Sequence, residues 1–265
     1  RRKQPAIPFD RDNSAIAEAF RKLRTNLQFL AVDNPPRVII VTSSMPHEGK
    51  STTAINIALA LAEAEHNVVL VDGDMRRPTV HKYLDLVGQV GFSTVLSGQA
   101  SLGESLQKTR FRGLTVLAAG AVPPNPSELL GSQAAKNLLT ELRAKYDYVI
   151  VDSSPLLAVT DSAILAAGAD GALMMVRFGY AKRDQLAHAI GNLKDVGAAV
   201  LGAVFTLTPT RGGSSYSYSY GYYGEEGARS TRSAPAALSP VAPSEDRSDA
   251  DGRRAANHRS RGATD

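Results

Sequence analysis

Two rhythms of apolar residues alternate along the chain. RVIIVTSS (37–44), NVVLVDGD (67–74), GLTVLAAG (113–120), YDYVIVDSS (146–154), DGALMMVRF (170–178) and AAVLGAVFT (198–206) are short, almost continuous apolar runs. Such runs suit strands covered on both faces. Between them lie KSTTAINIALALAEA, SQAAKNLLTELRAK and AKRDQLAHAIGNLKDVG, whose apolar positions follow helical spacing. Strands alternating with helices of this length predict an α/β domain, a mostly parallel, doubly wound sheet with helices on both faces. Ahead of the first strand, SAIAEAFRKLRTNLQFL (14–30) sets Ile16, Phe20, Leu23, Leu27 and Leu30 at steps of three and four. That spacing predicts a helix with one buried stripe, with Ser14 a plausible N-cap. At about 100° per residue, Glu18, Arg21 and Arg24 fall on its flank and back, facing outward.

The pattern stops near Thr208. Residues 208–224 are rich in Gly, Ser and Tyr, and 225–265 contain only Leu238 and Val241 as large aliphatics. A segment of that composition cannot bury enough surface to offset its ordering entropy, so 225–265 is expected to be disordered. The expected organisation is therefore a basic juxtamembrane linker over 1–13, one folded domain over 14–207, the tyrosine-rich stretch 208–224 and the tail 225–265. Five of nine tyrosines, Tyr216, Tyr218, Tyr220, Tyr222 and Tyr223, crowd into SYSYSYGYYG. Strict alternation could mark a strand, but the rings have no evident core to enter.

The 265 residues carry a net charge of +4, and residues 1–30 hold seven Lys/Arg against Asp10, Asp12 and Glu18, which accounts for all of it. The body is balanced, unlike a protein with a basic stripe for nucleic acid, so no nucleic-acid partner is expected. Anionic lipid near the N-terminus is the better match. The absence of cysteine excludes disulfides and thiolate metal sites. No run reaches eighteen apolar residues, AILAAGADGALMMV being interrupted by Asp170. A start at RRKQ, without Met, suggests a piece of something longer, and a basic start is expected just inside a membrane helix.

SSMPHEGKST (43–52) ends a predicted strand and opens a predicted helix. Its Gly49-Lys50-Ser51 triplet is the core of a phosphate-binding loop, in which backbone N–H groups and a helix start cradle the β-phosphate. Pro46, His47, Glu48, Gly49, Lys50, Ser51 and Thr52 are the expected nucleotide contacts. Lys50 would bridge the β- and γ-phosphates of ATP, and the Ser51 hydroxyl would ligate Mg²⁺. Ser44 stands where the first glycine of the usual pattern belongs, so the loop is a deviant one. Two more apolar strands run into carboxylates: VVLVDGDMRRP into Asp72 and Asp74, and YDYVIVDSSP into Asp152. Ligands bind beyond the carboxyl ends of strands in an open parallel sheet, so all three should converge on the nucleotide. Asp74 and Asp152 are candidate Mg²⁺ partners, directly or through water. The competing reading makes Asp74 or Asp152 a helix N-cap.

Together with the helix motif EAFRKLR, the segment PPNPSELLGS (123–132) and the terminal tyrosines, these stretches make residues 14–223 resemble the bacterial tyrosine kinases, the cytoplasmic kinase domains of capsule and exopolysaccharide export systems. The resemblance implies ATP-dependent autophosphorylation of Tyr216, Tyr218, Tyr220, Tyr222 and Tyr223, the tail of one subunit entering a neighbour's site. It implies a homo-oligomeric ring held through Glu18, Arg21 and Arg24, a membrane-spanning activator or polysaccharide co-polymerase region, fused or separate, a tyrosine phosphatase as partner, other protein substrates, and a place on the cytoplasmic side of the plasma membrane. By motif position Asp72 would orient the incoming phenol, with Asp74 second, alongside catalytic Lys50 and Asp152. Read without the family, Glu18 with Lys22 or Arg21 is an ordinary intrahelical pair.

Rival readings are a partitioning or positioning ATPase of the same deviant loop class and a nucleotide-gated scaffold without catalysis. The first would carry a second signature lysine where this chain has Met45. Thr206 stands where related ATPases often have Asn, which leaves the adenine contacts unassigned, and His47 replaces a residue that is frequently glycine.

Overall fold

The computed structural model describes residues 15–31 and 34–209. In chain order the elements are α1 (Ala15–Gln28), β1 (Val38–Ser43), α2 (Lys50–Glu63), β2 (Val68–Asp72), α3 (Val80–Leu84), α4 (Phe92–Leu96), α5 (Leu102–Ser105), β3 (Leu106–Lys108), β4 (Leu114–Leu117), α6 (Pro126–Leu130), α7 (Gln133–Lys145), β5 (Tyr148–Pro155), α8 (Asp161–Ala166), β6 (Gly171–Arg177), α9 (Arg183–Asp195) and β7 (Val200–Thr206). The seven strands form one sheet in the order β3-β4-β2-β5-β1-β6-β7. All pairs are parallel except β3 with β4, a short antiparallel edge. The six apolar runs are the six parallel strands. The edge strand LQK carries no such run and was not predictable from one.

Alternation along each strand divides the core. Val38 and Ile40 of β1, Val69 and Val71 of β2 and Val149 and Val151 of β5 enter one cluster, capped by α4–α9. Ile39 and Val41, Val68 and Leu70, Tyr148 and Ile150 enter the other, capped by α1, α2 and α3. This is the doubly wound arrangement that the strand patterns predicted. Residues Thr53–Ala62 of α2 are buried on every side, which fits a sequence apolar all round and rich in alanine. The small residues let α1 lie across it.

That packing turns α1 from the expected orientation. Ala17 and Leu27 are buried with Phe20 and Leu23 partly so, whereas Ile16 and Leu30 remain 59% and 48% exposed. Arg21 and Arg24 do not face outward. Arg21 forms a two-pronged pair with Glu63, Nε to Oε2 at 2.8 Å and a terminal nitrogen to Oε1 at 2.7 Å. Arg24 donates to the Ala60 carbonyl at 3.0 Å. The last turn of α2 leaves carbonyls without helical partners and carries the negative end of the helix dipole, so guanidinium groups are drawn to it. Glu18 stays exposed beside Arg21 at 3.5 Å. The Arg21 pair holds Glu63 below the usual carboxylate range.

Ser14, the expected linker 1–13, the tyrosines Tyr216–Tyr223 and the segment 225–265 lie outside the described residues. Among the described residues no helix is long and apolar enough to cross a membrane.

Candidate nucleotide site

The loop between β1 and α2 is held open from behind. The Glu48 side chain is buried and folds back to accept the Met45 N–H at 2.8 Å. Thr206, at the end of β7, donates to the Glu48 carbonyl at 2.8 Å, and Arg177, at the end of β6, to the His47 carbonyl at 3.2 Å. The Ser43 hydroxyl donates to the Met45 carbonyl at 2.7 Å. Three carbonyls are thereby drawn to the protein side. His47 and Gly49 both adopt left-handed backbone, φ 65° and 88°. This is ordinary for glycine and uncommon for histidine. Gly49 caps α2 without a side-chain bond, so the first N–H groups of the helix, from Lys50 to Thr52, lack an intrahelical acceptor. Lys50 is only 8% exposed. A buried ammonium needs anionic company.

Carboxylates supply part of it. Asp72 ends β2 and Asp152 is its register partner on β5, so the two lie on adjacent strands about 4.8 Å apart. Asp152 sits inside β5 rather than at its end, because the strand continues to Pro155 after an irregularity in its pairing with β1. It is 1% exposed, and neither carboxyl oxygen has a hydrogen-bond partner among the described residues. Burial pushes its pKa up to about 7, while the Ser51 hydroxyl and the Lys50 ammonium pull it down and Asp74 pushes it up.

Asp72 is fully buried. Its Oδ2 accepts the Thr79 and Val80 N–H groups at 3.0 Å each, which ties down the start of α3, and Oδ1 has no partner. The N-cap residue of α3 is Thr79, so Asp72 braces that helix start from the end of β2 with one oxygen and keeps the other free. Burial, and next the charge of Asp152, raise its pKa well above the usual range. Asp74, half-buried, accepts the Arg77 N–H at 3.0 Å. Thr79 donates its hydroxyl to Ser51 Oγ at 3.1 Å, linking this loop to the start of α2. Gly73 makes the close approach possible: its N–H donates to the Asp152 carbonyl at 2.7 Å, and a Cβ there would lie 2.9 Å from the same oxygen.

The donor set can be tested against Mg²⁺. No group of three or more His, Cys, Asp or Glu forms a ready metal cage among the described residues. Mg²⁺ does not ask for one. It binds through one or two carboxylates plus substrate phosphates and keeps several waters. The two free oxygens of Asp152, with the Ser51 hydroxyl and the Asp74 carboxylate close by, fit that mode.

Other members of the site gave no signal of their own in the sequence. Arg76 pairs with the buried carboxylate of Asp161, Nε to Oδ2 at 2.8 Å and a terminal nitrogen to Oδ1 at 3.2 Å. Ser127 of the PPNPSELLGS segment donates to Asp161 at 2.6 Å. One carboxylate so ties together the loop after β2, α6 and α8. Behind Asp152, the hydroxyls of Ser153, Ser154 and Ser162 bond to one another, and Ser153 and Thr42 cross-link β1 and β5. Glu18, Arg21 and Arg24 are not part of this assembly. They lie at the opposite end of α2.

Residues 37–199 match the family model described as an AAA domain. The chain is 38% identical over 224 residues to tyrosine-protein kinase YwqD of Bacillus subtilis (strain 168), covering 84% of this chain and 93% of that one. It is 35% identical over 222 residues to the putative tyrosine-protein kinase CapB of Staphylococcus aureus, covering 84% and 96%. The chain belongs to the bacterial tyrosine kinase family. Against the crystal structure of the chimerical protein CapA2B2 it superposes with a TM-score of 0.74 at 35% identity, covering 77% of this chain and 89% of that one. Within this bacterial tyrosine kinase, then, the deviant loop, both aspartate motifs and the sheet that aligns them occupy one contiguous face.

Proposed function

We propose that the chain is a MgATP-dependent protein-tyrosine kinase whose acceptors are the tyrosines of its own C-terminal cluster. The observation that carries the site is Asp152, 1% exposed with both carboxyl oxygens unpartnered, beside the buried Lys50 ammonium. A carboxylate so placed is costly unless a cation arrives, and a lysine so placed is costly unless an anion does. MgATP brings both. In this reading the N–H groups around Gly49 to Thr52, with Pro46, His47 and Glu48 shaping the loop, hold the phosphates. Lys50 spans the β and γ groups. Ser51, Asp152 and Asp74 would hold the ion directly or through water, and the ion would supply charge neutralisation.

Asp72 orients the phenol with its free Oδ1. An ordinary carboxyl near 4 is a poor resting place for a proton from a phenol near 10. The upward shift of Asp72 narrows that gap, and in a loose phosphoryl-transfer transition state proton loss comes late. Asp74 is the second choice, since its Oδ1 is engaged by the loop backbone.

Sequence kinship to proteins named as tyrosine-protein kinases supports the reaction, and the Ser/Tyr alternation of 215–220 supports the acceptor. The family also supports phosphorylation in trans within a ring involving Glu18, Arg21 and Arg24, a membrane-spanning activator or co-polymerase region, fused or separate, a tyrosine phosphatase, and a place on the cytoplasmic side of the plasma membrane. The role sought in polysaccharide synthesis and export follows from the same kinship.

Intact mass after incubation with MgATP and the activator region decides among the readings. A tyrosine kinase gains up to five increments of about 80 Da each, and Lys50→Met gains none. ATP consumed with mass unchanged would instead mark a positioning-type ATPase, and neither change a scaffold.

A further inference from the structure

The loop that follows β2 carries two adjacent arginines with opposite fates. Arg76 spends its fork on Asp161 and Ser127. Arg77 is exposed, and its guanidinium has no hydrogen bond, ion pair or ring contact among the described residues, although its backbone N–H holds Asp74. Pro78 follows, which restricts Arg77 to extended backbone and keeps it from folding into a helical turn. Arg77 therefore presents an exposed, fork-shaped cation on the loop whose backbone holds Asp74.

The acceptor segment has a matching pattern. In an extended peptide, residues n and n+2 point to the same side, about 6.6 Å apart. In SYSYSYGYYGEEG, Tyr216, Tyr218, Tyr220 and Tyr222 share one such face, and Tyr223 shares the other with Glu225. Glu226 lies on the face of Tyr222 four residues further on, with the side-chain-free Gly224 between them. When a tyrosine is presented to the Asp72 carboxylate, the side chain two residues C-terminal faces the same protein surface. For Tyr223 that side chain is already anionic.

We propose that Arg77 selects tyrosines with an anionic side chain on the C-terminal side, nearest at the second position, so that the cluster is phosphorylated in order from its C-terminal end. Glu225 and Glu226 start the sequence at Tyr223 and Tyr222. Phosphate on Tyr222 then serves Tyr220, phosphate on Tyr220 serves Tyr218, and phosphate on Tyr218 serves Tyr216. Each step forms a bond from the phenol oxygen to the γ-phosphorus and breaks that phosphorus's bond to the β–γ bridging oxygen. ADP leaves with that oxygen and the phenolic proton passes to solvent by way of Asp72. A phosphotyrosine carries about −1.5 to −2 charges against one for glutamate, so later steps are held at least as firmly as the first. Arg suits the task because its planar fork matches both carboxylate and phosphate. The inference rests on the kinase reading above.

Time courses on the full chain with MgATP and the activator test it. Trypsin releases residues 212–229 as one peptide, and fragmentation places each phosphate. The expected order is Tyr223 and Tyr222, then Tyr220, Tyr218 and Tyr216. Replacing Glu225 and Glu226 by Gln slows the first events by about three- to tenfold, the range of an exposed charge-assisted contact. Arg77→Gln slows them similarly, and in combination the two changes cost little more than either alone. Replacing Tyr222 and Tyr223 by Phe delays the other three sites, and Tyr222→Glu restores Tyr220. Random or N-terminal-first order, or full additivity of the arginine and glutamate changes, overturns the inference while leaving the kinase reading intact. No phosphate on any tyrosine overturns both.

Discussion

Asp152→Asn should make the nucleotide-free protein more stable while disabling it. The carboxyl of Asp152 titrates near 7 in the fold against an ordinary value of 3.8. A raised acid binds its proton more tightly when folded, so stability is full below about pH 4 and declines as pH rises to about 7. The decline amounts to roughly 4 kcal/mol across that window, shared with its neighbour Asp72. Asparagine removes the charge but leaves a buried amide without partners, which costs about 1–3 kcal/mol. The net gain at pH 8 is then about 1–3 kcal/mol, a Tm rise of roughly 3–9 °C for a domain of this size. Scanning calorimetry at pH 8 and pH 5 reads it. At pH 5 the wild-type carboxyl is protonated and the variant's advantage should vanish or reverse. MgADP should raise the wild-type Tm and do little for the variant. A variant less stable than wild type at pH 8 without nucleotide would refute the idea that this carboxylate is kept unsatisfied for a ligand.

Three further outcomes follow from the same geometry. Gly73→Ala places a Cβ 2.9 Å from the Asp152 carbonyl oxygen and from Val151 Cγ1; it should cost about 1–3 kcal/mol in urea unfolding and lower the phosphorylation rate by displacing Asp74, and an unchanged midpoint and rate would contradict the tight approach. Arg21→Ala and Glu63→Ala should each destabilise by about 0.5–1 kcal/mol, a modest figure because the pair is partly exposed; a double-mutant cycle should show non-additivity, and simple addition would mean that the pair contributes nothing. Phosphorylation of all five tyrosines adds roughly −8 to −10 charges to one short segment, so the proposed ring should loosen; light scattering before and after phosphatase treatment checks this, and an unchanged particle mass would count against it.

The sheet was legible because strands covered on both faces must be apolar throughout, and six such runs stand out between helical segments. β3 was not, because an edge strand of three partly exposed residues leaves no such trace. Asp72, Asp74 and Asp152 could be placed together because each follows an apolar run, and the register of β2 with β5 sets Asp72 beside Asp152. Their inequality could not be read. Only the fold shows that Asp72 spends one oxygen on the start of α3 while Asp152 spends neither. The outward face expected for Arg21 and Arg24 failed because helical spacing ranks residues by hydropathy. It cannot know that the end of α2 offers Glu63 and a bare carbonyl at Ala60. Asp161 was invisible for a related reason, since its partners Arg76 and Ser127 come from segments 85 and 34 residues away.

A mixing experiment goes to the centre of the account. One chain carries Lys50→Met with all five tail tyrosines, and the other carries an intact site with those tyrosines changed to Phe. Combined with MgATP and the activator, the Lys50→Met chain should gain mass in steps of about 80 Da while its partner gains none. If ATP is turned over and the Lys50→Met chain stays at its starting mass, the site does not pass its phosphoryl group to a neighbour's tail.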